Sequence, residues 1–187
     1  DPNDTGAAYL LGLIYLEAAD VAAVRSLVAA IRVEHNEPSV PLRLESLADY
    51  QQGDYEQALT GLKASIAEIR DFTGHYFTGM TFYKLRRYEQ ALGSFQKALG
   101  LAPDHETAQL MVAHTFLKLG RIEECLRTAQ MTLRFKPRNA LAHNILGSAY
   151  LKQGNYDQAL SHLDLAVQLD PELAMAHLKR GSFRLAT

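Results

Sequence analysis

The chain has 187 residues, of which 48% are hydrophobic and 21% are charged, a balance that supports a packed core and excludes intrinsic disorder. Acidic and basic residues number 21 and 19, and basic residues occur at most two in a row, which argues against a nucleic-acid partner. No apolar run reaches the roughly 18 residues that a membrane-spanning helix needs. Cys125 is the only cysteine, so an internal disulfide and a multi-cysteine metal site are excluded.

Residues of the same kind recur at steps of 34 along the chain. The recurring prolines are Pro103, Pro137 and Pro171, and the recurring small residues are Ala91, Cys125 and Ala159. A fixed period of this size is the signature of stacked repeats in which each repeat contacts only its neighbours. The sequence therefore predicts one elongated array, and arrays of this kind usually present a surface to a partner and carry no chemistry.

In chain order, the sequence predicts five helix pairs followed by one extra helix. The second pair is the weakest, because the register of its first helix is uncertain. The step from Ala58 to Ala91 is 33, so one residue is missing around Ile69–Phe72. Because the chain begins without Met and ends inside a helical pattern, we expect a fragment of a longer protein. The predicted repeats are 5–38, 39–71, 72–105, 106–139 and 140–173, with a partial repeat or terminal helix at 174–187.

Repeat 140–173 shows most clearly how each pair is built. Its first half carries a stripe at helical spacing, and Asn155 can cap the second helix with Gln158 in capping-box position. Pro171 then ends that helix. The stripe on the first helix consists of His143, Leu146, Gly147 and Tyr150, and the stripe on the second consists of Ala159, Leu163, Ala166 and Leu169.

This pattern resembles the tetratricopeptide repeat (TPR), a 34-residue helical hairpin. The resemblance implies an all-α fold, a right-handed solenoid of antiparallel helix pairs known as the TPR superhelix, and a protein-interaction scaffold that binds a peptide or protein segment in its concave groove. The residues that carry it in the fifth repeat are Leu146, Gly147, Tyr150, Ala159, Leu163 and Pro171. Those in the third and fourth are Gly79, Phe82, Tyr88, Ala91, Phe95, Ala98, Pro103, Val112, Ala113, Phe116, Gly120, Cys125 and Pro137.

By the same resemblance, a second stripe on each first helix lines the groove. It is apolar and aromatic in the first to third repeats and more polar by the fifth. A terminal-carboxylate clamp of the chaperone-binding kind is not expected, since only Asn144 fits its chemistry. The candidate partner-binding residues are Tyr9, Leu13, Tyr76, Met80, Tyr83, Lys84, Leu110, His114, Leu117, Lys118, Asn144, Ser148 and Lys152.

Lysines recur in this stripe at 34-residue steps, as Lys84, Lys118 and Lys152. Two interpretations stay open. A lysine is simply tolerated at an exposed helix position, or the three form a line of positive charge that favours an extended or helical peptide with acidic groups.

No catalytic, cofactor-binding or metal-binding residue is predicted, and the protein is not expected to be an enzyme. The chain lacks a Gly-rich phosphate loop, a nucleophile elbow and the zinc-protease motif. His75, His143 and His177 share one repeat position and are read as packing residues. Cys125 stands where a small buried side chain is required, so we expect it to be inert.

The segment Leu141–Tyr150 looks like the long bacterial TPR lipoproteins linked to PEP-CTERM protein sorting and exopolysaccharide export. That resemblance implies a periplasmic or outer-membrane-anchored protein in secretion or envelope assembly; without it, a cytoplasmic location stays open. The alternative is a regulatory or substrate-recognition arm of a larger enzyme such as a glycosyltransferase. Self-association through exposed array ends is a further expectation.

Overall fold

The computed structural model describes residues 5–34 and 39–173, and within these ranges it contains ten helices and no strand. The all-α fold class is therefore confirmed. The predicted helix at 174–187, including His177, lies outside the described residues. The helices are α1 (Thr5–Glu17), α2 (Val21–Glu34), α3 (Ser39–Gln52), α4 (Tyr55–Glu68), α5 (Phe72–Lys84), α6 (Tyr88–Leu101), α7 (Glu106–Leu119), α8 (Ile122–Phe135), α9 (Ala140–Gln153) and α10 (Tyr156–Leu169).

Short polar side chains begin several of these helices by capping exposed backbone N–H groups. The carboxylate of Asp71 accepts from the backbone N–H of Gly74 at 2.8 Å, and the side-chain oxygen of Asn139 accepts from that of Ala142 at 2.7 Å. Asn155 caps α10 as the sequence predicts, accepting from the backbone N–H of Gln158 at 3.4 Å. The return contact of the capping box differs, because the Gln158 oxygen accepts from the side-chain amide of Asn155.

The turn inside each helix pair requires a left-handed backbone at one position. Gly53, Gly120 and Gly154 adopt φ values of 90°, 75° and 77° there, and glycine reaches this region without steric cost. Ala19 and Arg86 occupy the same turn position in their repeats and are also left-handed, with φ values of 56° and 59°. The turn geometry is thus kept even where the sequence does not supply a glycine.

The contacts of the chain group into two compact units, unit 1 (residues 1–102) and unit 2 (residues 103–187). In unit 1, one apolar core joins α1 and α2 to the following pair. Its buried members are Leu16, Val24, Val28, Ile31, Leu44, Leu47, Ala48 and Leu62. The prediction that the repeats form a single array stays a prediction.

Small residues let the two helices of a pair approach closely. A Cβ at Gly79 would lie 2.7 Å from the Phe95 ring, and one at Gly147 would lie 2.7 Å from Leu163 Cγ. Ala91, Cys125 and Ala159 are all fully buried. The sequence-based assignment of these positions to close helix packing agrees with this geometry, and a larger side chain at any of them would overpack the pair.

The first helices of successive pairs contact one another within each unit: α1 packs on α3 and α3 on α5 in unit 1, and α7 packs on α9 in unit 2. Among the described residues, no comparable contact joins α2 to α4, α4 to α6, or α8 to α10. Since helices approach most closely on the inner side of a bend, the first helices line the inner side of each unit.

The residue missing from the 34-residue period is lost in the segment between α4 and α5. Only three residues, 69–71, separate these helices, whereas four separate α6 from α7 and α8 from α9. The buried guanidinium of Arg43 spans the shortened segment. It donates to the carbonyl of Ile69 at 2.8 Å and to the carboxylate of Asp71 in an ion pair, with Ser65 a third, longer partner at 3.4 Å.

Candidate functional site

The inner side of unit 1 contains a cleft of about 250 Å³ between its first helices. Because α1, α3 and α5 all contribute, the cleft exists only when successive repeats are stacked. Its lining is mainly apolar, with a carboxylate and an amide at the rim. The lining residues are Leu13, Leu16, Glu17, Leu47, Gln51 and Phe77.

Of the two polar side chains of the cleft, Gln51 is held by a hydrogen bond and Glu17 makes no ion pair with the described residues. The Gln51 side-chain N–H donates to the backbone carbonyl of Leu16, the last buried residue of α1, which fixes the amide between α1 and α3. Its oxygen is left to accept a hydrogen bond. Glu17 is exposed at the end of α1 and makes no ion pair with the residues that the structure describes. The cleft therefore offers an apolar floor, one acceptor and one negative charge.

An aromatic cluster continues the inner face from α3 onto α5. The Tyr76 ring stacks on Phe72 at 5.4 Å and meets Phe77 edge-on at 5.5 Å, and Phe77 in turn meets Tyr50 at 5.7 Å. Tyr83 packs against Tyr88 at 5.3 Å. Burial raises the pKa of Tyr50 and of Tyr83 to about 12, so their hydroxyls stay neutral near pH 7.

Tyr9 brings α1 close to the buried Arg43. Its hydroxyl is enclosed and has no hydrogen-bond partner at bonding distance. Burial is the main cause that raises its pKa, and the nearby Arg43 guanidinium partly opposes that rise. Tyr9 therefore behaves as a half-buried neutral side chain at the edge of the inner face.

The predicted site residues of unit 1 all lie on the first helices, on the inner side. Tyr9, Leu13, Tyr76, Met80 and Tyr83 are half-buried, and Lys84 is exposed in the last turn of α5. The structure brings Leu13 to the cleft. Lys84 also interacts favourably with the carbonyl end of its helix, a sufficient structural reason for a lysine there.

The predicted site residues of unit 2 are much less accessible. His114 on α7 is half-buried, and Lys118 and Lys152 are exposed in the last turns of α7 and α9. The remaining four are Leu110, Leu117, Asn144 and Ser148, which are between 3% and 7% exposed. Partner contacts at those four positions require the side chains to become accessible, and they stay predictions.

The groove residues predicted from the sequence do not include any residue of α3, nor Phe77 on α5. From the sequence alone, Leu44, Leu47 and Ala48 leave the register of α3 uncertain. Gly53 carried the missing signal: it occupies the same turn position as Gly120 and Gly154, so counting back from it places Leu47 and Gln51 in the stripe.

His143 and Cys125 are buried among packed side chains. His143 is 5% exposed; one ring nitrogen, Nε2, lies 3.0 Å from the carbonyl oxygen of Pro137, and the other lies 2.9 Å from Nδ1 of His162. Because a carbonyl only accepts, Nε2 of His143 carries a proton. Cys125 is fully buried, and burial raises the pKa of its thiol to about 12, so it is protonated at neutral pH.

The described parts of the chain contain neither a cluster of metal ligands nor a membrane-spanning helix. Over residues 5–34 and 39–173, no three His, Cys, Asp or Glu side chains come together in a way that could hold a metal ion. Within the same ranges, none of the helices has both the length and the apolar character of a membrane span.

Three family models, each described as tetratricopeptide repeat, match the chain. They cover residues 43–106, 82–149 and 140–173, and together they extend over 43–173, well over half of the sequence. The chain therefore belongs to the tetratricopeptide repeat family. No curated protein matches the chain.

Several solved structures superimpose on most of the chain. YrrB, described as a TPR protein with an unusual peptide-binding site, is 18% identical, with a TM-score of 0.76 over 92% of this chain and 90% of its own. MamA from Desulfovibrio magneticus RS-1, from residue 41 to its end, is 19% identical, with a TM-score of 0.76 over 92% and 99%. TTC0263, a thermophilic TPR protein from Thermus thermophilus, is 19% identical, with a TM-score of 0.72 over 97% and 99%. At these identities the likeness shows the fold alone.

Proposed function

We propose that the protein is a protein-interaction scaffold that binds a segment of another protein along the inner side of unit 1, and that it acts by binding and not by catalysis. The observation that carries this proposal is the cleft between α1, α3 and α5. It combines an apolar lining with the exposed carboxylate of Glu17, which forms no ion pair with the described residues.

The size of the cleft favours a side chain as its occupant. Sites for small molecules usually have volumes of about 300 to 1,000 Å³. At about 250 Å³ the cleft is smaller than that range, yet it is large enough for one large apolar side chain. A peptide that places such a residue in the cleft would extend along the aromatic surface of α5. YrrB, which shares the fold and is described as having a peptide-binding site, supports a peptide ligand.

The charges at the ends of the first helices give this surface a direction. Glu17 ends α1 and Lys84 ends α5, with the neutral Gln51 near the end of α3. A segment with a basic residue beside its apolar anchor would place that residue at Glu17, and an acidic residue further along would approach Lys84. The partner that suits unit 1 is therefore of mixed charge, rather than uniformly acidic as the three lysines alone would favour.

The test is affinity capture from native lysate with the parent chain and a variant carrying Leu13→Ser and Glu17→Lys. We expect proteins held by the parent to be lost by the variant, because the change removes apolar floor and reverses the rim charge. Glu68→Lys is the matched control, because this substitution makes the same charge change at an exposed residue of α4, away from the cleft. Equal retention by all three proteins would contradict the proposal.

We further propose, from the resemblance of Leu141–Tyr150 alone, that the partners belong to bacterial secretion or to exopolysaccharide and envelope assembly. Identification of the captured proteins by mass spectrometry checks this. The alternative is a regulatory or substrate-recognition arm of a larger enzyme. It predicts instead that the captured proteins, or domains fused to this chain, contain catalytic α/β domains.

A further inference from the structure

The outer face of α8 in unit 2 carries an unusual group of exposed side chains. Arg127, Met131, Arg134 and Phe135 follow one another at steps of four, three and one residues, so they lie on one side of the helix. Both arginines are exposed, Met131 is 59% exposed and Phe135 is 80% exposed. Two large apolar side chains this accessible on one helix face are uncommon and call for an explanation. These four residues are called the α8 face below.

The other repeats show that the fold does not require these residues. The same four repeat positions hold Gly93, Lys97, Gly100 and Leu101 on α6 and Ser161, Leu165, Gln168 and Leu169 on α10. Those helices form equally regular pairs without an arginine at any of these positions. An apolar residue recurs at the position of Phe135, but a structural role does not account for the two arginines of the α8 face.

The charges around the α8 face leave its arginines available. At the start of α8, Glu124 is engaged by Arg121 at 2.8 Å, and it feels Arg127 only as a nearby charge. Beyond the end of α8, Lys136 pairs with Glu106 at 2.7 Å. Among the residues described, neither Arg134 nor the exposed Arg138 in the next turn has a carboxylate partner.

The composition of the α8 face matches the buried centre of a protein interface. Such centres are enriched in arginine, methionine and aromatic residues and depleted in lysine and acidic residues. Arginine also pairs with carboxylates through two parallel hydrogen bonds, which lysine cannot do. A cleft of about 190 Å³ adjoins Phe135, lined also by Asp104, Glu106, Gln109, Thr132 and Lys136.

We propose that the α8 face is a second interaction surface, separate from the inner side of unit 1, and that it binds an acidic amphipathic helical segment of another protein. Arg127 and Arg134 are seven residues apart, about 10 Å along the helix axis. The segment that fits them carries two carboxylates at the same spacing with large apolar side chains between them, which cover Met131 and Phe135.

The experiment measures binding of the full chain to a labelled synthetic helical peptide by fluorescence anisotropy. The peptide has glutamates seven residues apart on either side of two leucines, and a matched peptide has glutamines in their place. We expect the glutamate peptide to bind at least 10-fold more tightly than the glutamine peptide and to weaken as salt is added. Equal affinity for the two peptides would overturn the charge complementarity.

A variant and its matched control locate the binding. Arg134→Gln with Phe135→Ser should reduce affinity for the glutamate peptide at least 10-fold, whereas Lys97→Gln with Leu101→Ser, exposed residues of α6 in the preceding repeat, should leave it unchanged. All four changes are at exposed positions, so circular dichroism should show the folded spectrum. Equal losses in both variants would overturn the proposal. So would binding to phosphatidylserine vesicles without binding to the peptide, which would assign the α8 face to an anionic membrane.

Discussion

At the scale of single residues, the turn inside each helix pair shows what the repeat fold demands of its sequence. One backbone position is left-handed in all five turns, yet only three of the five residues there are glycine. A residue with a Cβ in this region is strained by roughly 1–2 kcal/mol. Ala19 and Arg86 keep that conformation because the helices on both sides, with their packed cores, allow no other path for the chain.

Replacing Arg86 by glycine should therefore stabilise the protein. We expect the free energy of unfolding to rise by about 0.5–1 kcal/mol, since relief of the left-handed strain exceeds the extra entropy that glycine gives the unfolded chain. Urea denaturation followed by circular dichroism measures the change. Gly120→Ala is the reciprocal control and should lose about 1 kcal/mol; a gain there would show that the turn position is not strained.

At the scale of a helix pair, α9 and α10 are joined by two histidine rings as well as by apolar packing. In the neutral pair, His143 donates from Nε2 to Pro137 and accepts at Nδ1 from His162. His162 also stacks on the Tyr150 ring at 5.5 Å. Burial is the main cause that lowers the pKa of His162, and the neighbouring His143 adds to it. Protonating both rings would bring two N–H groups face to face.

This pair should make the protein less stable in mild acid. Since the pKa of His162 is lower in the folded chain than the unfolded value of about 6.5, the unfolded chain binds more protons below that pH. The contribution of His162 to the free energy of unfolding is complete above about pH 6.5. It is lost as the pH falls through that value toward the lowered pKa of the folded chain. Urea denaturation between pH 7.5 and 5 should show a falling free energy of unfolding.

The variant His162→Gln should flatten this pH dependence. His75, whose pKa burial also lowers, is present in both proteins, so the difference between the two curves isolates the pair. Curves that remain parallel across the range would show that the pair does not carry the effect.

Helix pairs also mark where sequence reasoning succeeds and where it stops. The 34-residue period, the turn glycines and the small packing residues predict the helix pairs, because each follows from the local sequence. The accessibility of the groove does not follow. Leu110 and Asn144 occupy the predicted stripe but are buried, and burial depends on packing with other helices that the spacing within one helix does not reveal. Similarly, the cleft in unit 1 depends on Phe77 and Gln51, which meet Leu13 only after three helices are stacked.

At the scale of the whole molecule, α1 is a helix whose exposed apolar surface is unexpected in a monomer. It has no charged residue before Glu17, and it exposes 62% of Leu10, 39% of Leu11 and 59% of Ile14 on the side away from its core. A helix that is apolar all round is normally covered on every side. We propose that a second copy of the chain covers this face in solution.

Such an association should be weak. A 13-residue helix is about 20 Å long and offers far less than the roughly 800 Å² per partner of a standard interface. Light scattering at several concentrations should show a mean mass that rises with concentration, and Leu10→Ser with Ile14→Ser should keep the chain monomeric. Phe135→Ser removes comparable exposed apolar surface elsewhere and should leave the association unchanged. A strict monomer at all concentrations would contradict the proposal.

The shortened segment between α4 and α5 has a consequence for the history of the array. Repeats of equal length can be duplicated, deleted or exchanged by recombination without disturbing their neighbours. In the repeat that ends at Asp71, the three-residue connection depends on Arg43, a residue near the beginning of the same repeat, so only an exchange of the whole repeat keeps the two together. A transfer that separates the two would leave a charged guanidinium buried without its partners, which costs several kcal/mol. We therefore expect the second repeat to be exchanged only as a whole.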